Sequence, residues 1–487
     1  MPDEQTRDSI ITKPFTKMKL LLLLACLAVA PTLIAQETPT VSCSKQFSDH
    51  MVLQRGVNVP VWGWSHPGAE VSVAFAGQTQ SATADAKGRW RVVLDPLTVS
   101  AESRDMILTS RDQQLVFKNV LVGEVWLASG QSNMEWALKK FQDKGKQFPE
   151  VDRSLIRMIT VKQTVSGAPQ DRLEGEWVAL DSPSWLDCSA TASYFAANLL
   201  KELGVPIGII QASWGGALIE PWLPENAFQQ LEGGKEGARL GLTQEELDAL
   251  AKKPWDMKTP AAMYHTMIHP CVGFAMRGAI WYQGESNVGD AWYEQKMTSL
   301  ISSWREAWGI GDFPFYFVQL APHRRYGGEK LGRMWEAQLH TARKVPNCGM
   351  AVISDSNQLK NIHPDNKPKV GRRLALWALA KDYGKPVVHS GPWFKGFKTD
   401  GSRIIIDFDH AESGLAFAGD KIMAVWILGE GDAEFVEATP VIEGGKLIVE
   451  HPHGKKALHV RMGWALEDVI NLTNKEGLPA SAFRTDG

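Results

Sequence analysis

Uninterrupted apolar runs that stop at glycine or at small polar residues constrain the fold of this 487-residue sequence more than any other feature. They occupy residues 120–129, 207–213, 278–284, 313–320 and 349–355. Such runs are typical of parallel strands that helices cover on both faces, and a helical pattern, ending at Gly204, lies between two of them. The region 116–385 is therefore predicted to be a doubly wound α/β domain.

The flanking regions have a different pattern, in which apolar and polar residues alternate in short runs. Between Met51 and Pro96 these runs are separated by Gly and Pro about every ten residues, as in a small β-sandwich. Alternation returns after about Lys385. We therefore expect an N-terminal β-sandwich at 36–115 and a C-terminal β module at 386–487, a division that suits a chain of this length.

The N-terminus resembles a secretory signal. A lysine, an apolar run and a small residue at Ala35 follow Met18, which we expect to be the true start. The run is short for a membrane span and contains Pro31, so residues 1–35 are predicted to be cleaved, leaving a periplasmic or extracellular protein. A lipid anchor at Cys26 is the alternative reading.

Charge and cysteine content exclude several classes of function. A formal net charge of -3 gives no basic field for a nucleic acid partner. The four cysteines beyond the signal form no CxxC pair, which gives no zinc site and favours free thiols.

Four polar clusters follow the apolar runs, at the edge of an α/β sheet where ligands bind. They occupy residues 130–133, 213–216, 283–287 and 355–364. The first contains Ser132 and the last contains His363, and a histidine is the base that a serine hydroxyl needs to become a nucleophile. Taken singly, the serine also fits a helix N-cap and the histidine a solvated loop residue.

Acyl transfer also needs donors that point at the developing oxyanion. The backbone N–H of Ser132 at a helix start is one candidate, and the Gly215–Gly216 pair allows close backbone approach, although it also fits a tight turn. A side-chain amide from Gln283 or Asn287 would supply a third donor, unless it stabilises a turn.

In this order the clusters resemble the conserved blocks of the SGNH hydrolase superfamily, and more closely the sialate O-acetylesterase family of carbohydrate esterases. The specific stretches are L-A-S-G-Q-S-N-M-E-W, G-A-I-W-Y-Q-G-E-S-N and N-I-H-P-D-N-K-P-K-V-G-R-R-L-A. The similarity extends into both flanks and so covers nearly all of the mature chain.

The resemblance implies that Ser132 is the nucleophile, His363 the general base, and Ser132, Gly215 and Gln283 the oxyanion donors, with Gly216 and Asn287 as near alternatives. The candidate substrate contacts are Gln131, Asn133, Trp214, Glu285 and Asn287, of which Trp214 would stack on a sugar ring and Glu285 either organises the third block or meets substrate hydroxyls. No metal or cofactor is required.

One position departs from the common pattern of the family. Many relatives carry an aspartate two residues before the histidine, where this chain has Asn361. An amide cannot stabilise an imidazolium by charge. We therefore take Asp355 as the candidate acid for His363, with a Ser–His dyad as the fallback.

The implied reaction is removal of O-acetyl groups from sialic acid or a related glycan. Arg324 and Arg325 could meet a sialic carboxylate, although such charges are commonly only solvated. Deacetylation of xylan or another plant polysaccharide is the alternative, and a catalytically dead carbohydrate-binding protein is a third reading. Activity is expected to fall in acid with a midpoint about one unit either side of 6.5, the ordinary pKa of histidine.

Overall fold

The computed structural model describes residues 41–141, 148–229, 255–464 and 469–487. The predicted signal peptide lies outside these residues. The described part of the chain is a mixed α/β protein with several sheets.

Eight strands form the N-terminal part of the described chain. Strands β1 to β8 run over Ser42–Cys43, Val52–Gln54, Val59–Trp64, Glu70–Phe75, Gln78–Thr83, Arg89–Leu94, Ser100–Ser110 and Gln113–Gly130. Burial alternates along β3 and β6, as the sequence pattern predicts for strands with one covered face. Strands β1, β3 and β6 form a three-stranded sheet. Strand β4 pairs with β5 and β7, and both β7 and β2 pair with β8.

The long strand β8 joins the N-terminal part to the α/β domain. Its first half pairs with β7, and its second half, from Glu124, lies between two parallel strands. The predicted boundary at 115/116 therefore falls inside a single strand.

Glu124 is fully buried at the junction and pairs with Arg55 at 2.6 Å and Arg277 at 3.0 Å. Burial opposes its ionisation, but these two arginines outweigh it and hold the pKa of Glu124 below its usual value.

A mostly parallel sheet forms the centre of the molecule. Strands β9 to β14 run over Ile156–Thr160, Trp177–Ala179, Ile207–Ser213, Gly278–Tyr282, Phe315–Val318 and Cys348–Ala351. The order across the sheet is β10-β9-β11-β8-β12-β13-β14, and only β10 is antiparallel to its neighbour in this series. Ser213 and Tyr282 both lie opposite Gly130, so β8, β11 and β12 end at the same level. Their following loops therefore meet at one edge.

Six α-helices accompany the strands within the described residues. Helices α1 to α6 run over Ser132–Glu135, Ala190–Leu203, Glu225–Gln229, Tyr293–Trp308, Gly328–Lys344 and Lys367–Lys381. Ser189 caps α2 by accepting the N–H of Ala192 at 3.1 Å, and the helix ends at Gly204, which has a φ of 65°, as the sequence predicted. Helix α1 is a single turn, because the backbone becomes extended at Trp136.

The C-terminal part contains only antiparallel strand pairs among the described residues. Strands β15 to β24 run over Trp393–Asp400, Arg403–Asp409, Leu415–Phe417, Val425–Gly429, Val436–Glu437, Val441–Glu443, Lys446–Glu450, Ala457–Met462, Leu472–Asn474 and Phe483–Arg484. They form two sheets of four strands and one of two. These β-rich regions flank the α/β domain in sequence, as predicted.

Candidate active site

Gly130 ends β8 and determines where Ser132 lies. Its φ is 134°, and a Cβ at this position would approach the carbonyl oxygen of Tyr282 to 2.2 Å, so only glycine fits. The chain turns there into α1, with Gln131 as the N-cap and Ser132 as the first helical residue. The serine side chain is therefore not the helix cap that its sequence context also allowed.

Ser132 and His363 are in direct contact. The serine Oγ lies 2.8 Å from Nε2 of His363, although the two residues are 231 positions apart. His363 lies in the loop between β14 and α6, where its backbone N–H donates to Asn361 Oδ1 at 3.0 Å. Its ring stacks on Trp136, with centroids 3.6 Å apart and planes at 23°. The turn therefore fixes the backbone of His363, and the indole packs against its imidazole.

The imidazole is neutral over a wider pH range than the sequence suggested. Burial lowers the pKa of His363 from 6.5 to about 4, and the positive charges of Lys367, Lys140 and His323 act in the same direction. A neutral imidazole can accept the serine proton, so this environment extends the base form into acid conditions.

Asp355 has a different partner from the one that the sequence suggested. Its two carboxylate oxygens accept hydrogen bonds from Arg373 at 2.7 and 2.8 Å, and Lys369 lies 3.6 Å away. Burial alone would raise the pKa of Asp355, but Arg373 outweighs it and the net shift is downward. Neither a hydrogen bond nor an ion pair joins Asp355 to His363 among the described residues. Arg373 reaches the Asp355 carboxylate because the arginine lies on α6, and α6 packs against the strand that precedes Asp355.

Asn133 connects the serine turn to the histidine loop. Its Nδ2 donates to Glu285 Oε1 and to the carbonyl oxygen of Ile362, the latter at 3.0 Å, and its Oδ1 accepts from Lys367. Only 1% of Asn133 is exposed, and it does not line the cavity beside Ser132. Asn133 therefore bridges the two loops and fixes Ile362, the residue before His363, instead of making the predicted contact with substrate.

Glu285 is the acidic residue of this network and lines the same cavity. Burial raises its pKa, while Asn133 and Lys367 act in the opposite direction. Its Oε2 is buried and forms no hydrogen bond within the described part of the chain.

Two backbone N–H groups at this turn, those of Ser132 and Gly215, donate to no described residue. The N–H of Ser132 begins a helix and has no intrahelical partner. Gly215 lies next to it, since a Cβ on Gly215 would be 3.5 Å from Cβ of Ser132. Gly216 also lines the cavity.

The predicted third donor, Gln283, points into the protein. It is fully buried, and its Nε2 donates to the carbonyl of Ala217 at 3.1 Å and to Asn287 Oδ1 at 2.8 Å. Asn287 likewise donates to Glu220 Oε2 and Asp290 Oδ2, at 3.2 and 3.3 Å. Both amides therefore stabilise the loops around the site, which was the alternative reading of these residues.

Gln131 is the side-chain amide that does line the cavity. The N–H of Ser286 donates to its Oε1 at 3.3 Å, which fixes the orientation of the amide. Its Nε2 makes no hydrogen bond to a described residue. This nitrogen is available to a ligand.

The cavity around Ser132 has a volume of about 800 Å³ and a cationic rim. Lys258, Arg325 and Lys330 line it, and all three are exposed and lack ion pairs with other described residues. Trp136 lines it as well, whereas Trp214 does not and packs against the hydrophobic core.

Sequence reasoning missed Lys258, Lys330 and Lys367. Lys258 and Lys330 lie in segments with no motif, so nothing in the pattern marked them. Lys367 does lie inside the quoted stretch N-I-H-P-D-N-K-P-K-V-G-R-R-L-A, four residues after His363, and that position was a usable signal.

The described residues contain no group of three or more His, Cys, Asp or Glu side chains that could hold a metal ion. Cys43, Cys188, Cys271 and Cys348 are unpaired thiols. Within the same residues, no helix has the length and apolar character needed to cross a membrane.

This chain is similar to several known proteins. A family model described as carbohydrate esterase, sialic acid-specific acetylesterase, matches residues 122–379. The sialate O-acetylesterases of rat and human are each 28% identical, over 71% of this chain and 74% and 72% of their own lengths. A crystal structure described as a novel carbohydrate acetylesterase from Xanthomonas citri is 35% identical, with a TM-score of 0.82 over 92% of this chain and all of that one.

Proposed function

Because this chain belongs to the sialic acid-specific acetylesterase family of carbohydrate esterases, which are carboxylic ester hydrolases, we propose that it removes O-acetyl groups from a glycan through an acetyl-enzyme on Ser132. The observation that carries the proposal is the 2.8 Å contact between Ser132 Oγ and His363 Nε2. This is the geometry that proton transfer from a serine nucleophile to its base requires.

The reaction proceeds in two steps. His363 Nε2 takes the proton of Ser132, whose Oγ attacks the acetyl carbonyl and forms a tetrahedral oxyanion. The N–H groups of Ser132 and Gly215 and the amide of Gln131 donate to that oxyanion. The sugar alcohol leaves with the proton from His363, and water then repeats the sequence on the acetyl-serine.

The base works as a Ser–His dyad in this proposal. Asp355 is engaged by Arg373, so Trp136 orients the imidazole by stacking on it, while Asn361 holds the backbone N–H of His363.

The strand order supports a finer description of the fold. We propose that the esterase domain is a doubly wound α/β domain of the SGNH type. Its support is the central position of β8, whose neighbours β11 and β12 come later in the chain, and the site at the shared carboxyl edge.

The cationic rim supports an anionic sugar as the substrate. Lys258, Arg325 and Lys330 would attract a sugar carboxylate such as that of sialic acid, whereas xylan deacetylation would give these cations no partner. Release of acetate from 9-O-acetylated sialic acid should exceed release from acetylated xylan. Arg325→Gln should reduce only the former, with Arg333→Gln, an exposed arginine paired with Glu329, as the control.

Labelling with a serine-directed phosphonate tests the nucleophile. The adduct should lie on Ser132, and Ser132→Ala should abolish both labelling and acetate release. Labelling at another residue would overturn the assignment. A wild type that binds glycans but hydrolyses no acetyl ester would instead favour the dead carbohydrate-binding protein.

We further propose that the protein is exported. The support is the signal-like sequence at 18–35 alone. Intact mass of the protein from the periplasm or medium should show cleavage after Ala35, whereas a lipid mass on Cys26 would show the anchored form.

A further inference from the structure

A second cavity, of about 200 Å³, lies against the three-stranded sheet of the N-terminal part and shares no lining residue with the cavity around Ser132. Its aromatic lining residues are Trp62, Trp64 and Trp90, and its polar ones are Arg89, Asp171 and His269. It is therefore separate from the active site.

Two of the tryptophans form an aromatic wall. Trp62 and Trp64 are two residues apart on β3, so their side chains share one face of the strand with Cα atoms about 6.6 Å apart. Both are half-buried, whereas the residues between and beside them are buried. Phe47 contacts Trp62 edge-on at 4.7 Å, and the guanidinium of Arg172 covers one face of Trp64 at 3.6 Å. These contacts hold the two indoles in fixed orientations.

The polar groups of the cavity have unused hydrogen-bonding capacity. Asp171 is exposed and forms no hydrogen bond or ion pair with a described residue. Trp90 is only 3% exposed, yet its indole N–H has no acceptor within the described part of the chain. His269 uses Nδ1 on the carbonyl of Gln170 at 3.1 Å, which leaves Nε2 available. The carboxylate of Asp171 and Nε2 of His269 are therefore the groups that a ligand in this cavity can reach.

We propose that this cavity binds one neutral pyranose ring of the glycan chain, away from the acetyl group that the active site removes. Its volume equals about seven water molecules at roughly 30 Å³ each, which suits a single sugar ring. The indoles of Trp62 and Trp64 offer a flat apolar wall to the ring, and the Asp171 carboxylate and Nε2 of His269 accept hydrogen bonds from its hydroxyls.

Charge favours a neutral ring over an anionic one. Arg89, the cationic residue that lines the cavity, is already paired with Asp85 at 3.0 Å. The unpaired Asp171 would repel a sugar carboxylate. This site therefore differs in preference from the cationic rim around Ser132, and its existence does not depend on the role of that serine.

Isothermal titration of the whole wild-type chain with xylohexaose and with N-acetyllactosamine tests the proposal, since neither sugar carries an acetyl ester. At least one should bind, and Trp64→Ala and Asp171→Ala should each weaken it about fivefold or more. The control is Trp426→Ala, a half-buried strand tryptophan of the C-terminal part, which should leave the Kd within about twofold.

Three results would overturn the proposal. They are failure of both sugars to bind, equal Kd values for Trp64→Ala and Trp426→Ala, and loss of binding after phosphonate has blocked Ser132, which would place the sugar in the active-site cavity. If Trp64→Ala does not fold, Asp171→Ala decides, because this exposed and unpaired side chain supports no contact of the fold.

Discussion

Activity should persist to unusually low pH for an enzyme with a histidine base, because the structure lowers the pKa of His363 from 6.5 to about 4. Its neutral form is the active one, so the rate falls as pH drops through the folded pKa. At pH 5 a base with a pKa of about 4 is about 90% neutral, whereas one at 6.5 would be about 3% neutral. The expected rate at that pH is therefore about 30-fold higher than an unperturbed histidine allows.

The assay is kcat/KM for a chromogenic acetyl ester from about pH 3.5 to 8, which reports the pKa of the free enzyme. Circular dichroism at each pH separates titration from acid unfolding. Lys140→Met should move the acid limb to higher pH, because Lys140 lowers the pKa of His363 and lies 3.9 Å from the ring of Trp136. Lys139→Met is the matched control, an exposed neighbour that pairs with Asp187 instead. An acid limb near pH 6.5 in folded wild type would refute the reasoning.

Two further predictions separate structural from catalytic roles. Asp355→Asn leaves Arg373 without its charge partner, and should lower the free energy of unfolding in urea by about 2–3 kcal/mol while the acid limb of kcat/KM stays in place. A shift of the acid limb of kcat/KM to another pH would show that Asp355 acts on the imidazole of His363. Gln131→Ala should lower kcat about 100-fold with little loss of stability. Gln283→Ala should chiefly destabilise the protein, by about 1–3 kcal/mol, because its buried partners lose their hydrogen bonds. A larger loss of kcat for Gln283→Ala than for Gln131→Ala would contradict Gln131 as the proposed oxyanion donor.

The contact between Ser132 and His363 could be anticipated because it depends on topology alone. Buried apolar runs indicate parallel strands, and the carboxyl ends of such strands meet at one edge, so residues that follow different strands become neighbours. The same argument anticipated Gly215, whose close approach needs only a backbone without a side chain.

The residues that differed from expectation are those whose role depends on side-chain direction. Gln283 follows a strand as predicted, but its amide turns inward to Ala217 and Asn287. Asp355 also follows a strand, and Arg373 on the packed helix engages it. Sequence spacing gives no information on which of several nearby partners a side chain meets.

By itself, therefore, the sequence determined the family, the order of β and α/β regions, and the two residues that meet at the sheet edge, since these follow from periodicity and from motifs at strand ends. Only the tertiary structure decided the protonation of the base, the partner of Asp355 and the cationic rim of the cavity. The burial and the electrostatic environment of a side chain depend on residues from distant parts of the chain, and these residues come together only once the chain has folded.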